Sequence, residues 1–293
     1  MSRTAGSRTT LYDRVAEEAA SVVIRRYSTS FGVASRLLEP AVRQHVENIY
    51  ALVRLADEIV DGEATAAGLS VVDATRQLGD LENATSFAID KGYSSNLVVH
   101  AFGLTARATG FGRNLTTPFF DSMRSDLSET SHDQESFDRY VYGSAEVIGL
   151  MCLRTFLAGE EVTDQERAEL ETGARALGAA FQKVNFLRDL GTDFRDLGRS
   201  YFPGISVESF NEADKVRLLA DIDADLRASA AVIPRLPAGS RRAVALAQSL
   251  FTELAARLRA TPADRLVATR IRVPNAVKGR LAAMAALGRV PKP

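Results

Sequence analysis

Apolar residues recur three and four positions apart along most of this chain. The pattern marks seven segments: residues 11–26, 41–61, 70–91, 133–158, 163–195, 213–232 and 241–260. Such spacing is typical of α-helices with one buried face. Alternating strand-like stretches bounded by tight hairpin turns are missing from the sequence, so we predict an all-α fold.

The boundaries of these segments carry helix start and stop signals. Pro40 stands where a first helical turn tolerates proline, and Thr163 with Glu166 forms a capping-box pattern. Helix breakers lie between the segments, at Gly159, 203–204, 234–237 and Pro262. Because there is no repeat, low-complexity tract or linker, we predict one domain over residues 1–293, with flexible ends at 1–10 and 285–293.

The amino-acid composition indicates a globular protein and argues against several classes of partner and metal site. The 293 residues are 46% hydrophobic and 25% charged, with a formal net charge of -1, which is globular and gives no electrostatic reason to expect a nucleic-acid partner. Cys152 is the only cysteine, which excludes an intrachain disulfide and a thiolate metal cluster and suits a reducing compartment. The three histidines share no ligand spacing, so we assign them no role.

Targeting signals are also absent from the sequence. The first 14 residues, MSRTAGSRTTLYDR, contain no apolar core of a secretory signal, and no run of about 18 apolar residues occurs. We therefore predict a cytoplasmic protein without a membrane span.

The first segment with candidate chemistry ends the second predicted helix. Tyr50, Arg54, Asp57 and Asp61 share one helix face, with the two aspartates one turn, about 5.4 Å, apart. The rest of the segment is apolar nearly all round, which predicts a mostly buried helix. Carboxylates in a core need a cation or hydrogen bonds to compensate them. A solvated acidic stripe is the alternative, and this segment alone leaves both interpretations open.

The second segment with candidate chemistry covers residues 182–203. Asn185, Asp189 and Asp193 recur every four residues, and Gln182 lies on the same face one turn earlier. Oxygen ligands without histidine or thiolate suit a hard cation such as Mg²⁺, which usually shares its shell with water and substrate phosphates. Two acidic faces in one helical domain therefore predict a cavity where metal ions link the protein to a diphosphate.

Arginines accompany both acidic faces. Arg54, Arg188 and Arg199 suit direct binding of phosphate oxygens. Ion pairing with the neighbouring aspartates is the other interpretation, and both roles are compatible.

At these residues the chain resembles the phytoene and squalene synthases, which join two prenyl diphosphates head to head. The likeness covers most of the chain, through residues 27–31, 34–38, 50–54, 123–126, 142–145 with Gly149, and 182–203. Residues 27–31 and 143–150 are most similar to bacterial carotenoid enzymes of the phytoene synthase type. The resemblance implies a helical bundle of the isoprenoid synthase type around a central apolar cavity.

The resemblance also implies roles for individual residues. Asp57 and Asp61 resemble the family's first metal-binding pair, and Asn185, Asp189 and Asp193 resemble the second set. The positions similar to those that hold or line the substrate diphosphates are Tyr27, Ser28, Thr29, Ser30, Tyr50, Arg54, Gln182 and Arg188. Tyr142 and Tyr201 resemble tyrosines near the reacting carbons, and Phe31 resembles a cavity wall.

Three positions depart from the family pattern. Glu58 follows Asp57 where many relatives have two aspartates in a row, and Tyr27 is a histidine in some members. No tyrosine follows Tyr201, so the C-terminal tyrosine that contacts substrate in the family has no counterpart here.

The activity that the resemblance implies is condensation of two geranylgeranyl diphosphates to phytoene through a cyclopropylcarbinyl diphosphate, prephytoene diphosphate. Mg²⁺, with Mn²⁺ as an alternative, would assist loss of diphosphate, and NADPH is not expected. The alternatives are a squalene, dehydrosqualene or presqualene diphosphate synthase that uses farnesyl diphosphate, a terpene cyclase, and a non-catalytic interaction protein on the same fold.

The C-terminal segment is rich in positive charge. Its basic residues are Arg265, Arg270, Arg272, Lys278, Arg280, Arg289 and Lys292. Peripheral contact with an anionic membrane would suit a hydrocarbon product, and a solvated helix face is the simpler interpretation of the same charges.

Overall fold

The computed structural model describes residues 9–28, 30–61 and 63–288, and its regular structure in those ranges is helical. The α-helices are α1 (Leu11–Tyr27), α2 (Ser30–Ser35), α3 (Pro40–Val60), α4 (Glu63–Ala66), α5 (Val71–Lys91), α6 (Leu97–Thr109), α7 (Arg113–Ser125), α8 (Gln134–Val141), α9 (Val147–Phe156), α10 (Asp164–Leu197), α11 (Glu212–Val232), α12 (Ala238–Ala260), α13 (Ala263–Ala268) and α14 (Asn275–Ala286). A π-helical turn, Tyr142–Glu146, joins α8 to α9, and a 3₁₀ turn, Ile233–Arg235, follows α11.

The prediction of an all-α fold is confirmed. Each of the seven predicted segments is helical, and 133–158 is one continuous run of α8, the π-helical turn and α9. Pro40 begins α3, and the Thr163 side chain accepts a hydrogen bond from the Glu166 N–H at 3.2 Å. Local capping signals therefore placed these helix starts correctly.

In the described ranges, six helices lie outside the predicted segments, namely the short α2 and α4 together with α6, α7, α13 and α14. The α6 helix is enclosed on most sides, with Val99, Ala101, Phe102 and Thr105 all buried. A helix buried all round has no polar face, so its sequence lacks the amphipathic period. Pro118 interrupts the pattern inside α7.

Two large apolar cores organise the described ranges. One is built around α10 with α11, α12 and the residues that follow α10. The other is built by α3, α5, α6, α7 and α9. The π-helical turn packs against both α7 and α10, so it joins the two cores.

A glycine permits the closest contact of this turn. A Cβ atom added at Gly143 would lie 2.1 Å from the Pro118 carbonyl oxygen and 2.2 Å from the Ser122 hydroxyl oxygen. Any larger residue would force α7 away from the turn.

Within the described ranges, no helix is both long enough and apolar enough to cross a bilayer. Of the predicted flexible ends, residues 1–8 and 289–293 lie outside the described residues. Thr10 caps α1, and Ala285 and Ala286 belong to α14.

Candidate active site

The first acidic pair lies at the C-terminal end of α3. Asp57 is in the last turn, whereas Asp61 is the capping residue beyond Val60, so the predicted continuous helix ends one residue earlier. Burial, and then the charge of Asp61, raises the pKa of Asp57 to about 7. The Asp61 side chain is 42% exposed, so this pair spans from the interior to the solvent.

The second acidic set lies on α10, where Asn185, Asp189 and Asp193 are half-buried. Burial raises the pKa of Asp193 to about 7, and the charges of Asp189 and Asp61 act in the same direction. Arg199 donates its backbone N–H to the Asp193 carbonyl at 3.2 Å and its guanidinium to Asp61, so the two acidic faces lie beside each other.

Arg199 connects the two faces. It follows Gly198, which ends α10 in the left-handed conformation with φ 66°. Its guanidinium donates to the Asp61 carboxylate, to the Asp126 backbone carbonyl at 2.6 Å and to the Tyr201 hydroxyl at 3.2 Å. Burial alone would lower the pKa of Arg199, but the nearby tyrosine and carboxylate oxygens outweigh it and raise that pKa.

Asp126, which ends α7, is a site residue that the sequence analysis missed. Its side chain is 3% exposed and accepts hydrogen bonds from the Tyr140 hydroxyl at 2.8 and 2.9 Å and from the Tyr201 hydroxyl at 3.3 Å. Burial, then repulsion by Asp61, raises the pKa of Asp126 to about 7, against the opposing effect of Arg199. Asp126 lies in the family-like segment 123–126, which was the one available signal.

Two arginines flank Asp189. Arg188 donates from Nε to Asp189 Oδ1 at 3.0 Å, and the Arg270 Nε lies 2.8 Å from the same oxygen. The ion-pairing interpretation of Arg188 and Arg199 therefore describes contacts that exist. Arg270 was grouped with the basic C-terminal segment, and nothing in its sequence context pointed to α10.

A further polar group joins α1 to α3. The Arg54 guanidinium lies 4.5 Å from the centre of the Tyr27 ring and forms an ion pair with Glu58. Ser28 accepts the Phe31 N–H at 3.0 Å, and burial raises the pKa of Tyr50. Thr29 and the side chain of Ser30 lie outside the described residues.

The other predicted aromatic and amide residues lie at separate places around this site. Phe31 packs against Phe181 and Phe251, whose rings stack with centres 3.7 Å apart. The Tyr142 ring lies 5.2 Å from the Arg175 guanidinium. Gln182 donates to the Ser144 hydroxyl oxygen at 3.3 Å, which ties α10 to the π-helical turn.

Tyr201 lies in a closely packed recess beside the acidic residues, too narrow to admit a water molecule. The lining residues are Phe186, Leu190, Asp193, Arg199, Tyr201 and Phe202. The rings of Phe186 and Tyr201 stack 4.0 Å apart, and Tyr140 packs on the Tyr201 ring at 5.3 Å. An aromatic wall therefore borders the acidic site, and Tyr140, which the sequence analysis left out, is part of it.

The donor chemistry fits a hard divalent cation. The candidate ligands Asp57, Asp61, Asn185, Asp189 and Asp193 offer only oxygen. Across the described ranges, no three acidic, histidine or cysteine side chains converge closely enough to hold an ion alone. Mg²⁺ rarely needs such a cage, because water and substrate phosphates complete its octahedron.

Comparison with known proteins identifies the family to which the chain belongs. Residues 24–276 match the family model described as squalene/phytoene synthase. The chain is 26% identical over 253 residues to a phytoene synthase from Pseudescherichia vulneris, covering 80% of this chain and 79% of the relative. It is 27% identical over 193 residues to a 4,4'-diapophytoene synthase from Staphylococcus haemolyticus, covering 64% of this chain and 62% of the relative.

A crystal structure of a dehydrosqualene synthase with a bound ligand has the same fold. It superposes with a TM-score of 0.75 at 21% identity, covering 94% of this chain and 97% of the other. With the family match over residues 24–276, the helical fold and the two acidic segments, the chain belongs to the squalene/phytoene synthase family of isoprenoid synthases.

Proposed function

We propose that this enzyme condenses two geranylgeranyl diphosphates head to head to phytoene, through prephytoene diphosphate, without NADPH. The observation that carries the proposal is the link through Arg199, whose guanidinium donates to Asp61 and whose backbone N–H donates to the Asp193 carbonyl at 3.2 Å, so that the two acidic segments lie beside each other. The phytoene synthase relative, aligned over most of both chains, favours this product.

The proposed metal ligands are the five oxygen donors of α3 and α10, Asp57, Asp61, Asn185, Asp189 and Asp193. Mg²⁺, or Mn²⁺ in its place, would supply Lewis-acid stabilisation of the departing diphosphate. The raised pKa values of these carboxyl groups are consistent with a cation site, because a bound cation would favour the ionised carboxylates and lower those pKa values.

The arginines supply the proposed diphosphate contacts. Arg188 and Arg270 lie beside Asp189, and Arg199 lies beside Asp61. Each arginine could therefore donate hydrogen bonds to phosphate oxygens next to a proposed metal ligand. Bidentate geometry makes arginine well suited to that role. Tyr50, Arg54, Gln182 and residues 27–30 would complete the diphosphate site.

The aromatic wall would protect the cationic chemistry. Ring faces of Phe186 and Tyr201 favour positive charge nearby, and a dry apolar surrounding excludes the water that would trap a carbocation as an alcohol. Phe31, with Phe181 and Phe251, would enclose the prenyl tails. Tyr142 and Tyr201 remain our candidates for guiding the final proton loss.

Farnesyl diphosphate is the alternative substrate. The staphylococcal relative named 4,4'-diapophytoene synthase, which is similar over 64% of this chain, supports this shorter substrate as the alternative. The products would then be the squalene, dehydrosqualene or presqualene type.

We further propose a cytoplasmic enzyme that contacts anionic membranes through its basic C-terminal segment. Arg265, Arg272 and Arg280 are exposed, whereas Arg270 is engaged by Asp189; Arg289 and Lys292 lie outside the described residues. We expect the natural chain to sediment with anionic vesicles and not with neutral ones. A variant with the three changes Arg265→Ala, Arg272→Ala and Arg280→Ala should no longer sediment with the anionic vesicles.

The decisive experiment identifies the hydrocarbon. The purified enzyme is incubated with labelled geranylgeranyl or farnesyl diphosphate and Mg²⁺, with and without NADPH. We expect phytoene, independent of NADPH. A monomeric terpene with the carbon count of one substrate would indicate a cyclase, and the absence of any diphosphate release would indicate a non-catalytic protein.

Variants test the site assignment in the same assay. Asp57→Ala and Asp189→Ala should abolish turnover without loss of the helical circular-dichroism signal. Asp90→Ala, at an exposed surface ion pair with Arg113, is the control and should keep normal activity. Near-normal activity of either site variant would refute the metal assignment.

A further inference from the structure

Asp126 is a buried carboxylate at a position without an assigned role. It ends α7, and its side chain is 3% exposed. A carboxylate at such depth is costly unless hydrogen bonds and an opposite charge compensate it. Its partners therefore indicate why the position carries an acid.

Those partners converge from different parts of the chain. Tyr140 of α8 donates to both carboxylate oxygens, at 2.8 and 2.9 Å, and Tyr201 donates to Oδ1 at 3.3 Å. The Arg199 Nη1 lies 3.6 Å from Oδ1, and its Nη2 donates to the Asp126 backbone carbonyl at 2.6 Å. Asp126 thus holds Arg199 through both its side chain and its backbone.

The same Nη1 nitrogen of Arg199 also donates to the Asp61 carboxylate. That contact is open to solvent, because the Asp61 side chain is 42% exposed against 9% for Arg199. The Nη2 bond to the Asp126 carbonyl does not involve Asp61 and holds the guanidinium from a separate nitrogen. Nη2 is therefore fixed by the Asp126 backbone, and Nη1 lies between Asp126 and the partly exposed Asp61.

We propose that Asp126 is a positioning residue, which with Tyr140 fixes the Arg199 guanidinium so that its Nη1 nitrogen, beside the partly exposed Asp61, binds the diphosphate of the substrate. The proposal rests on the proposed function for the identity of the substrate. The anchoring itself depends only on the contacts between Asp126, Tyr140, Tyr201 and Arg199.

The test measures binding of inorganic diphosphate in the presence of Mg²⁺, by calorimetry, together with KM and kcat for the prenyl diphosphate. Asp126→Asn keeps the shape of the side chain and removes its charge. We expect diphosphate binding to weaken about tenfold and KM to rise by a similar factor, with a smaller change in kcat. The matched control is Asp225→Asn, which removes a carboxylate paired with Lys183 at 2.8 Å and should leave diphosphate binding unchanged.

A double-mutant cycle separates positioning from general destabilisation. In an Arg199→Gln background, Asp126→Asn should change diphosphate binding by less than about twofold, because the group that it positions is gone. Fully additive effects, or unchanged binding in the Asp126→Asn single variant, would overturn the proposal.

A second variant guards against misfolding. If Asp126→Asn loses its helical signal, Tyr140→Phe removes one anchor and keeps the carboxylate; binding should weaken severalfold, and unchanged binding would overturn the proposal. The binding test does not depend on the product assay. If the double-mutant cycle shows that Asp126 and Arg199 are coupled in diphosphate binding but the enzyme turns over neither prenyl substrate, the positioning role stands. The same result would refute the proposed function.

Discussion

At the residue scale, three carboxyl groups share one electrostatic environment. Burial, together with the charge of a neighbouring aspartate, raises the pKa values of Asp57, Asp126 and Asp193 to about 7. Arg199 lies among them and opposes the increase at Asp126 and Asp193. The site therefore holds more acidic groups than its own arginines neutralise, which suits it to bind cations.

The raised pKa of Asp57 predicts a specific pH dependence of folding. The native state retains a proton that the unfolded chain releases above about pH 4, so this contribution to stability is complete below that pH and lost as pH rises to about 7. Asp57→Asn removes the ionisable group. Without divalent metal, its unfolding free energy relative to the natural chain should therefore increase between pH 5 and 7.5, by up to about 1.4 kcal/mol per pH unit.

Urea denaturation in chelator at several pH values measures this difference. Asp90→Asn, an exposed surface change, should give a flat difference over the same range. A difference for Asp57→Asn that falls or stays constant would contradict the assignment.

At the element scale, the close approach of α13 to α10 brings Arg270 to the site. A Cβ atom added at Gly191 would lie 1.8 Å from the Val267 carbonyl oxygen, and Arg195 donates to that same oxygen at 2.9 Å. Three residues later, Arg270 reaches Asp189. The glycine near the C-terminal end of α10 is therefore required by a neighbouring helix, and its cost to helix propensity is offset by this packing.

Gly191→Ala should lower the unfolding free energy by about 1–3 kcal/mol, because the methyl group overpacks the contact with α13. Gly79→Ala is the matched control: it is also inside a helix, α5, and nothing lies within 4 Å of its added Cβ. The control should raise the unfolding free energy by about 0.5–1 kcal/mol. Thermal or urea denaturation measures both, and equal effects of the two changes would contradict the packing argument.

At the scale of the whole molecule, the site lies where two apolar cores meet. Asp57 and Asp61 end the helix that belongs to one core, and Asn185, Asp189 and Asp193 belong to the central helix of the other. A ligand that binds both acidic faces therefore links the two cores, and its binding free energy adds to the stability of the folded chain.

Mg²⁺ and inorganic diphosphate together should raise the melting temperature by roughly 5 °C at about a hundredfold excess over the dissociation constant. Either one alone should have a smaller effect, since neither completes the site. Differential scanning calorimetry measures the shift, which Asp90→Ala should keep and Asp57→Ala should lose. An undiminished shift in Asp57→Ala would place the ligand elsewhere.

The sequence alone determined the helical class and the two acidic segments. Amphipathic period and capping depend on nearby residues, so helical segments such as 163–195 could be predicted from the sequence. The family-like segments identified the group of enzymes. Helix α6 could not be predicted from its sequence, because burial on most sides leaves little periodic contrast between apolar and polar positions.

Only the tertiary structure decided which residues meet. Asp126, Tyr140 and Arg199 come from three different parts of the chain, and Arg270 reaches Asp189 across 81 positions. Their association depends on helix packing at Gly143 and Gly191, where the fit is set by backbone atoms of another helix. Spacing along one helix carries no information about such contacts, because they depend on how separate helices pack in three dimensions.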